Sequence, residues 1–162
     1  MKKFTICVSV LFYCLFVFQP VAAQAYSTGV GIRIDGLMTG FTLKHFITKH
    51  SAAEGMISIG HKSIIAAALF EQHLSFKGSP SLNFYYGTGM HVSFFKDGGR
   101  YYNTDRKIYN IPKAAGIDFI AGIDYKFSRV PISFSMDFKP FIDFVDGAQF
   151  YHDGSISVRY TF

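Results

Sequence analysis

Past its first 25 residues the sequence has no cysteine, and it has no tryptophan anywhere. Cys7 and Cys14 both fall in the opening segment. An exported domain without thiols is held by its core or by a membrane, not by disulfides. Cys14 follows Leu-Phe-Tyr, which lacks the small residues of a lipoprotein cleavage point. No helical 3.6-residue period of useful length appears after Tyr26. Linkers, low-complexity tracts and a second domain are also missing. His45, His50, His61, His73, His91 and His152 show no metal-ligand spacing on one face, so neither a metal nor another cofactor is expected. The GVGIRIDG run lies within a strand pattern, where its glycines read as interior spacers and not as a phosphate loop.

The one long apolar run stands at the start. Lys2 and Lys3 precede an apolar stretch from Phe4 to Phe18, and Pro20 breaks it before Val21-Ala22-Ala23 and Ala23-Gln24-Ala25. This is the pattern of a cleaved secretory signal peptide over residues 1–25, too short for a spanning helix of about 20 residues. Taking Lys2 and Lys3 from the sixteen basic residues leaves fourteen against eleven acidic ones, a net +3. That balance is too mild to suggest a nucleic-acid partner.

What remains, residues 26–162, is alternation punctuated by turns. ISFSMDFKPFIDF shows it best: Ile132, Phe134, Met136, Phe138, Ile142 and Phe144 take one parity, and Ser133, Ser135, Asp137, Lys139 and Asp143 take the other. Eight strands are expected, over Ser27–Asp35, Leu37–Ile47, Gly55–His61, Ile64–Ser75, Leu82–Phe95, Gly116–Phe127, Ile132–Phe144 and Ser155–Phe162. Turn signals separate them, among them Asp35-Gly36, Gly78-Ser79-Pro80, Asp97-Gly98-Gly99, Asp146-Gly147 and Asp153-Gly154. Several of these strands reach ten residues or more, as a tilted bilayer crossing of about 9–11 demands; soluble sheets centre on roughly 5–6.

Across all eight, one parity is apolar and the other polar. The polar set holds Arg33, Asp35, Lys44, Glu71, His73, His91, Asp118, Asp124, Lys126, Asp137, Lys139, Asp143 and Arg159. A soluble sandwich has the same period, so alternation alone does not say which face is inside. The 19 phenylalanines exceed what a small soluble core requires. The polar set is nearly balanced, five basic residues against six acidic, as an interior charge network would be. We therefore expect the apolar parity to face hydrocarbon and the charges to fill the inside. Closure is then required, because each unpaired backbone group in lipid costs several kcal/mol. The first, third, fifth and seventh connections include the only one near twenty residues, and long loops belong outside. Both termini are thus expected on the periplasmic side.

The alternating strands, the terminal SISVRYTF and the final Phe162 resemble the small eight-stranded outer-membrane β-barrels of Gram-negative bacteria, of the OmpA transmembrane-domain and OmpX type. LNFYYGTGMHVSF and GIDFIAGIDYKFSRVPISFSMDFKPF also resemble segments of that class, over the whole of residues 26–162. The resemblance implies an all-β, up-and-down transmembrane barrel in the cell outer membrane, monomeric and surrounded by lipid and lipopolysaccharide. Tyr160 and Phe162 resemble the carboxy-terminal signal read by the barrel-assembly machinery. Without tryptophan, tyrosine and phenylalanine have to supply the aromatic girdles.

Two features carry candidate chemistry. His91-Val92-Ser93 resembles the His-x-Ser pair of outer-membrane lipid A deacylases, in which histidine activates serine for ester attack. Here both residues share the interior parity, so an ordinary place in the charge network is the expected role. The long loop carries Arg100, Tyr101, Tyr102, Arg106, Lys107 and Tyr109, a basic and aromatic set suited to phosphates or glycans. The sequence therefore leads us to expect a non-enzymatic barrel with a structural or surface-interaction role. Its alternatives are a narrow small-solute channel, a lipid A-modifying hydrolase, or a soluble carrier with the apolar parity turned inward.

Overall fold

The computed structural model describes residues 26–36, 38–76, 78–96, 113–144 and 148–162. The expected signal peptide and the loop residues Arg100, Tyr101, Tyr102, Arg106, Lys107 and Tyr109 lie outside those residues.

Alternating sequence of this length has one stable use, a sheet with two unlike faces, and eight strands form it: β1 (Thr28–Asp35), β2 (Met38–Phe46), β3 (Ser51–Ile59), β4 (Ser63–Phe76), β5 (Ser79–Phe95), β6 (Lys113–Lys126), β7 (Ile132–Phe144) and β8 (Ala148–Thr161). Each pairs antiparallel with its sequence neighbours, and β8 returns to β1, closing the barrel. The seam runs from Gly29 opposite Thr161 to Asp35 opposite Ser155. It is finished by the amides of Ser27 and Thr28, which both donate to the Phe162 carbonyl. Closure leaves the sheet with no open side along this seam.

The apolar parity faces out on every strand. Phe41 and Met90 leave 67% and 68% of their surface uncovered, and Ile34, Ile57, Phe119, Phe138 and Val158 are likewise exposed. A soluble monomer does not display a continuous apolar belt of this kind. Towards the end holding both termini, aromatic pairs stand two residues apart on single strands. These are Phe84–Tyr86, Tyr125–Phe127 and Tyr160–Phe162, with ring centroids 6.2, 4.9 and 6.2 Å apart.

Only β7 matches its expected bounds; β5 and β6 each begin three residues early, and two strands differ by more. β3 begins at Ser51, four residues before the apolar alternation starts, because Ala52 and Glu54 continue the inward parity of Met56 and Ser58 and pair with β2. β8 begins at Ala148, so Asp153-Gly154 is strand and not turn. β7 continues opposite it, with Lys139 across from Asp153 and Phe138 across from Gly154. Gly36 and Gly78, by contrast, have φ of 50° and 86° and do turn the chain.

Candidate functional site: the barrel interior

The interior is built from the polar parity, and its ion pairs fall into three tiers along the barrel. In the tier nearest the termini, Arg159 on β8 reaches across to Glu54 on β3 at 2.5 Å and donates to Ser135 at 2.7 Å. Its guanidinium also lies 4.0 Å from Asp124. Thr42 hydrogen-bonds the same Glu54 carboxylate. Lys44 sits between Glu54 and Glu71, at 3.1 and 2.8 Å, and 4.1 Å above the Tyr85 ring. His73 meets Glu71 at 2.9 Å. Aromatic rings run through this tier in contact, from Tyr26 to Phe46, His73 and Tyr85. Burial, reinforced by Asp124, pushes the Tyr26 hydroxyl above its ordinary range.

In the middle tier Arg33 grips Asp137 with two parallel bonds of 3.0 and 2.7 Å, and its Nε meets Asp35 at 2.5 Å. Ser58 donates to Asp35, while Ser155 and the Tyr85 hydroxyl donate to Asp137. Tyr85 is fully buried and joins the two tiers, its ring under Lys44 and its hydroxyl on Asp137. In the loop-end tier His91 lies between two carboxylates, with Nδ1 2.9 Å from Asp118 and Nε2 2.8 Å from Asp143. Lys139 reaches Asp118 at 3.1 Å. Gly116 gives the imidazole its space: a Cβ there would lie 2.6 Å from His91 Cε1.

Twelve of the thirteen residues expected inside are buried and in these tiers: Arg33, Asp35, Lys44, Glu71, His73, His91, Asp118, Asp124, Asp137, Lys139, Asp143 and Arg159. Lys126 is a correction. It has the right parity but ends β6, so its ammonium runs out past the rim and caps the next turn, donating to the carbonyls of Phe127 and Val130. Glu54, Asp153 and Tyr85 are buried inside and were not expected. Their signal was present, since each continues an inward parity: Glu54 with Met56, Asp153 with Ser155, and Tyr85 with Asn83.

These changes alter the charge balance. The described interior holds Asp35, Glu54, Glu71, Asp118, Asp124, Asp137, Asp143 and Asp153 against Arg33, Lys44, Lys139 and Arg159, with His73 and His91 beside them. The expected near-balance is replaced by an excess of carboxylate. Buried charge of one sign persists only where pairing and hydrogen bonds compensate it. His91, doubly protonated, would satisfy two carboxylates at once. Because both its ring nitrogens face carboxylates, neither is left to take a proton from Ser93. Among the described residues no cluster of side chains could hold a metal ion.

Tyr160 and Phe162 point outward at the seam, 58% and 63% exposed.

No family model matches the sequence, and no characterised protein matches it either. Among solved structures, a designed transmembrane β-barrel, described as "De novo design of transmembrane beta-barrels", is similar in fold, with a TM-score of 0.55 at 13% identity. The match covers 88% of this chain and all of the designed one. The architecture is thus an eight-stranded antiparallel barrel of the membrane-spanning kind.

Proposed function

We propose that the chain is an outer-membrane β-barrel whose role is structural and surface-interactive, with its lumen closed by the three ionic tiers. The supporting observation is the inversion of the usual order: apolar side chains cover the outside, and ion pairs bridge strands that are not neighbours, as Arg159–Glu54 and Arg33–Asp137 do. An eight-strand barrel is just wide enough for its side chains to fill. In the proposed orientation the termini face the periplasm, the 97–112 connection faces outward and supplies a surface for glycans or phosphates, and Tyr160 and Phe162 present the assembly signal.

The second reading, a narrow channel, has one observation in its favour. Ser157, Thr161 and the Asn83 amide nitrogen are buried without a protein hydrogen-bond partner, as hydrated groups would be. Against it stands the middle tier, which spans the lumen. We expect the protein extracted from an outer-membrane fraction to migrate differently on a gel before and after boiling, and to leave planar bilayers without steady conductance. Ohmic conductance would replace the structural reading by the channel.

A further inference from the structure

Among the described residues, one strand pairing lapses in mid-strand. β6 and β7 run in register from Gly116 opposite Asp143 to Asp118 opposite Phe141, then resume at Ala121 opposite Phe138. The pairs lost between are Phe119 with Pro140 and Ile120 with Lys139. The other seven pairings carry no such gap; β4–β5 shifts only beside its turn, at Ser75 and Phe76. Pro140 explains the lapse, because a proline inside a sheet has no N–H and removes one ladder hydrogen bond. β7 keeps its register with β8 through Pro140 opposite His152, so the lost donor is the one that would face β6.

That leaves the Phe119 carbonyl without its ladder donor. Phe119 stands on the outward face, where hydrocarbon offers no substitute. Gly116 and Gly122 flank the gap on β6, and a side chain on either would collide with a β7 carbonyl, that of Ile142 or of Met136. Where the backbone lapses, side chains bridge the two strands from inside. Lys139, next to Pro140, reaches Asp118, next to Phe119, at 3.1 Å across the gap. His91 on β5 holds Asp118 on β6 and Asp143 on β7 at 2.9 and 2.8 Å, which ties the same two strands from behind. The Phe141 ring lies against both, 5.2 Å from the His91 ring and 5.1 Å from the Lys139 ammonium.

We propose that the β6–β7 junction is a lateral gate in the barrel wall, opening beside Pro140 and held shut by the Lys139–Asp118 pair. Local opening begins where a structure has fewest hydrogen bonds to break. Here it uncovers the loop-end tier to molecules lying in the membrane. The gate rests on the membrane-barrel reading above.

The test uses the full refolded chain in lipid nanodiscs, with amide hydrogen exchange followed residue by residue by NMR. The amides of Phe119, Ala121, Phe138 and Ile142 report on the junction, and those in the middle of the β4–β5 pairing serve as reference. Wild type is compared with Pro140→Ala, Lys139→Met and Tyr85→Phe, each first checked for a boiling-dependent gel shift. We expect the wild-type junction to exchange at least about tenfold faster than the reference, the factor of one lost hydrogen bond. Pro140→Ala restores the donor and should slow the junction towards the reference. Lys139→Met should speed the junction alone, whereas Tyr85→Phe, which loosens the middle tier, should leave the ratio unchanged. Equal exchange at the two places in wild type overturns the gate, as does a Pro140→Ala protein that exchanges no more slowly. Faster exchange on every strand of Lys139→Met overturns the latch. Pro140→Ala removes no charge, so it decides the gate even where Lys139→Met does not fold. A wild-type protein without a gel shift would bring down the membrane reading itself; a shift with uniform exchange brings down only the gate.

Discussion

Arg33 holds the middle tier together, since it pairs with both Asp35 and Asp137. Removing one partner of a buried ion pair leaves the other charge uncompensated, at about 3–5 kcal/mol. Arg33→Met should therefore cost that much in urea unfolding of the vesicle-inserted protein. Arg33→Lys should recover only part of it, because a single ammonium cannot reproduce the paired bonds to Asp137. Tyr85→Phe is a milder change. It keeps the ring beneath Lys44 and removes one bond to an Asp137 that retains Arg33 and Ser155, so about 1 kcal/mol is expected in the same measurement. Both positions carry polar parity, but only Arg33 announced itself in the sequence. Tyr85 is apolar enough to be read as lipid-facing, and its hydroxyl acquires meaning only from Asp137 across the barrel.

Among the strands, β7 shows the division of faces most cleanly. Phe138 stands at its centre on the lipid side, 52% exposed, between Asp137 and Lys139 on the inner side. A cation there meets hydrocarbon, so Phe138→Lys should destabilise the barrel by about 2–4 kcal/mol, whereas Phe144→Lys near the rim should cost about 0–1 kcal/mol. Equal costs at the two positions would mean that the outer face is not graded by depth. β7 was fully legible, matching its expected bounds, because its alternation is unbroken and local. β3 and β8 were not. β3 opens with the small residues Ser51, Ala52 and Ala53, and β8 carries the turn-like Asp153-Gly154 within it; both stretches are strand because a partner strand continues opposite. Parity told which side Lys126 faces but not how high it stands, and a side chain at the end of a strand can leave the lumen. Which acids meet which bases was beyond local reading, since Arg159–Glu54 joins residues separated by 105 positions.

For the whole molecule, the apolar and ionic parts of the interior share strands. Met56, Ala67, Leu69, Tyr85 and Ile120 form an apolar cluster on β3–β6, and Glu54, Glu71, Asp118 and Asp124 on the same strands are reached by Lys44, Lys139 and Arg159 from β2, β7 and β8. Neither part closes the cylinder without the other, and the seam requires the last strand. A chain cut after Gly154 would leave β1 with its hydrogen-bonding groups facing lipid, and we expect it to show no boiling-dependent shift and no protease-protected core.

That seam also sets a clock. Val30 finds its partner Tyr160 some 130 positions later, so the first strand to leave the ribosome is among the last to be satisfied. Pairings of such sequence separation form slowly, because the entropy of closing the chain comes due before any contact offsets it. No partial barrel is a resting place on that route, since every truncated sheet still has two open sides. The chain is therefore expected to stay unfolded until its last strand is present, and to close into a barrel in one late event.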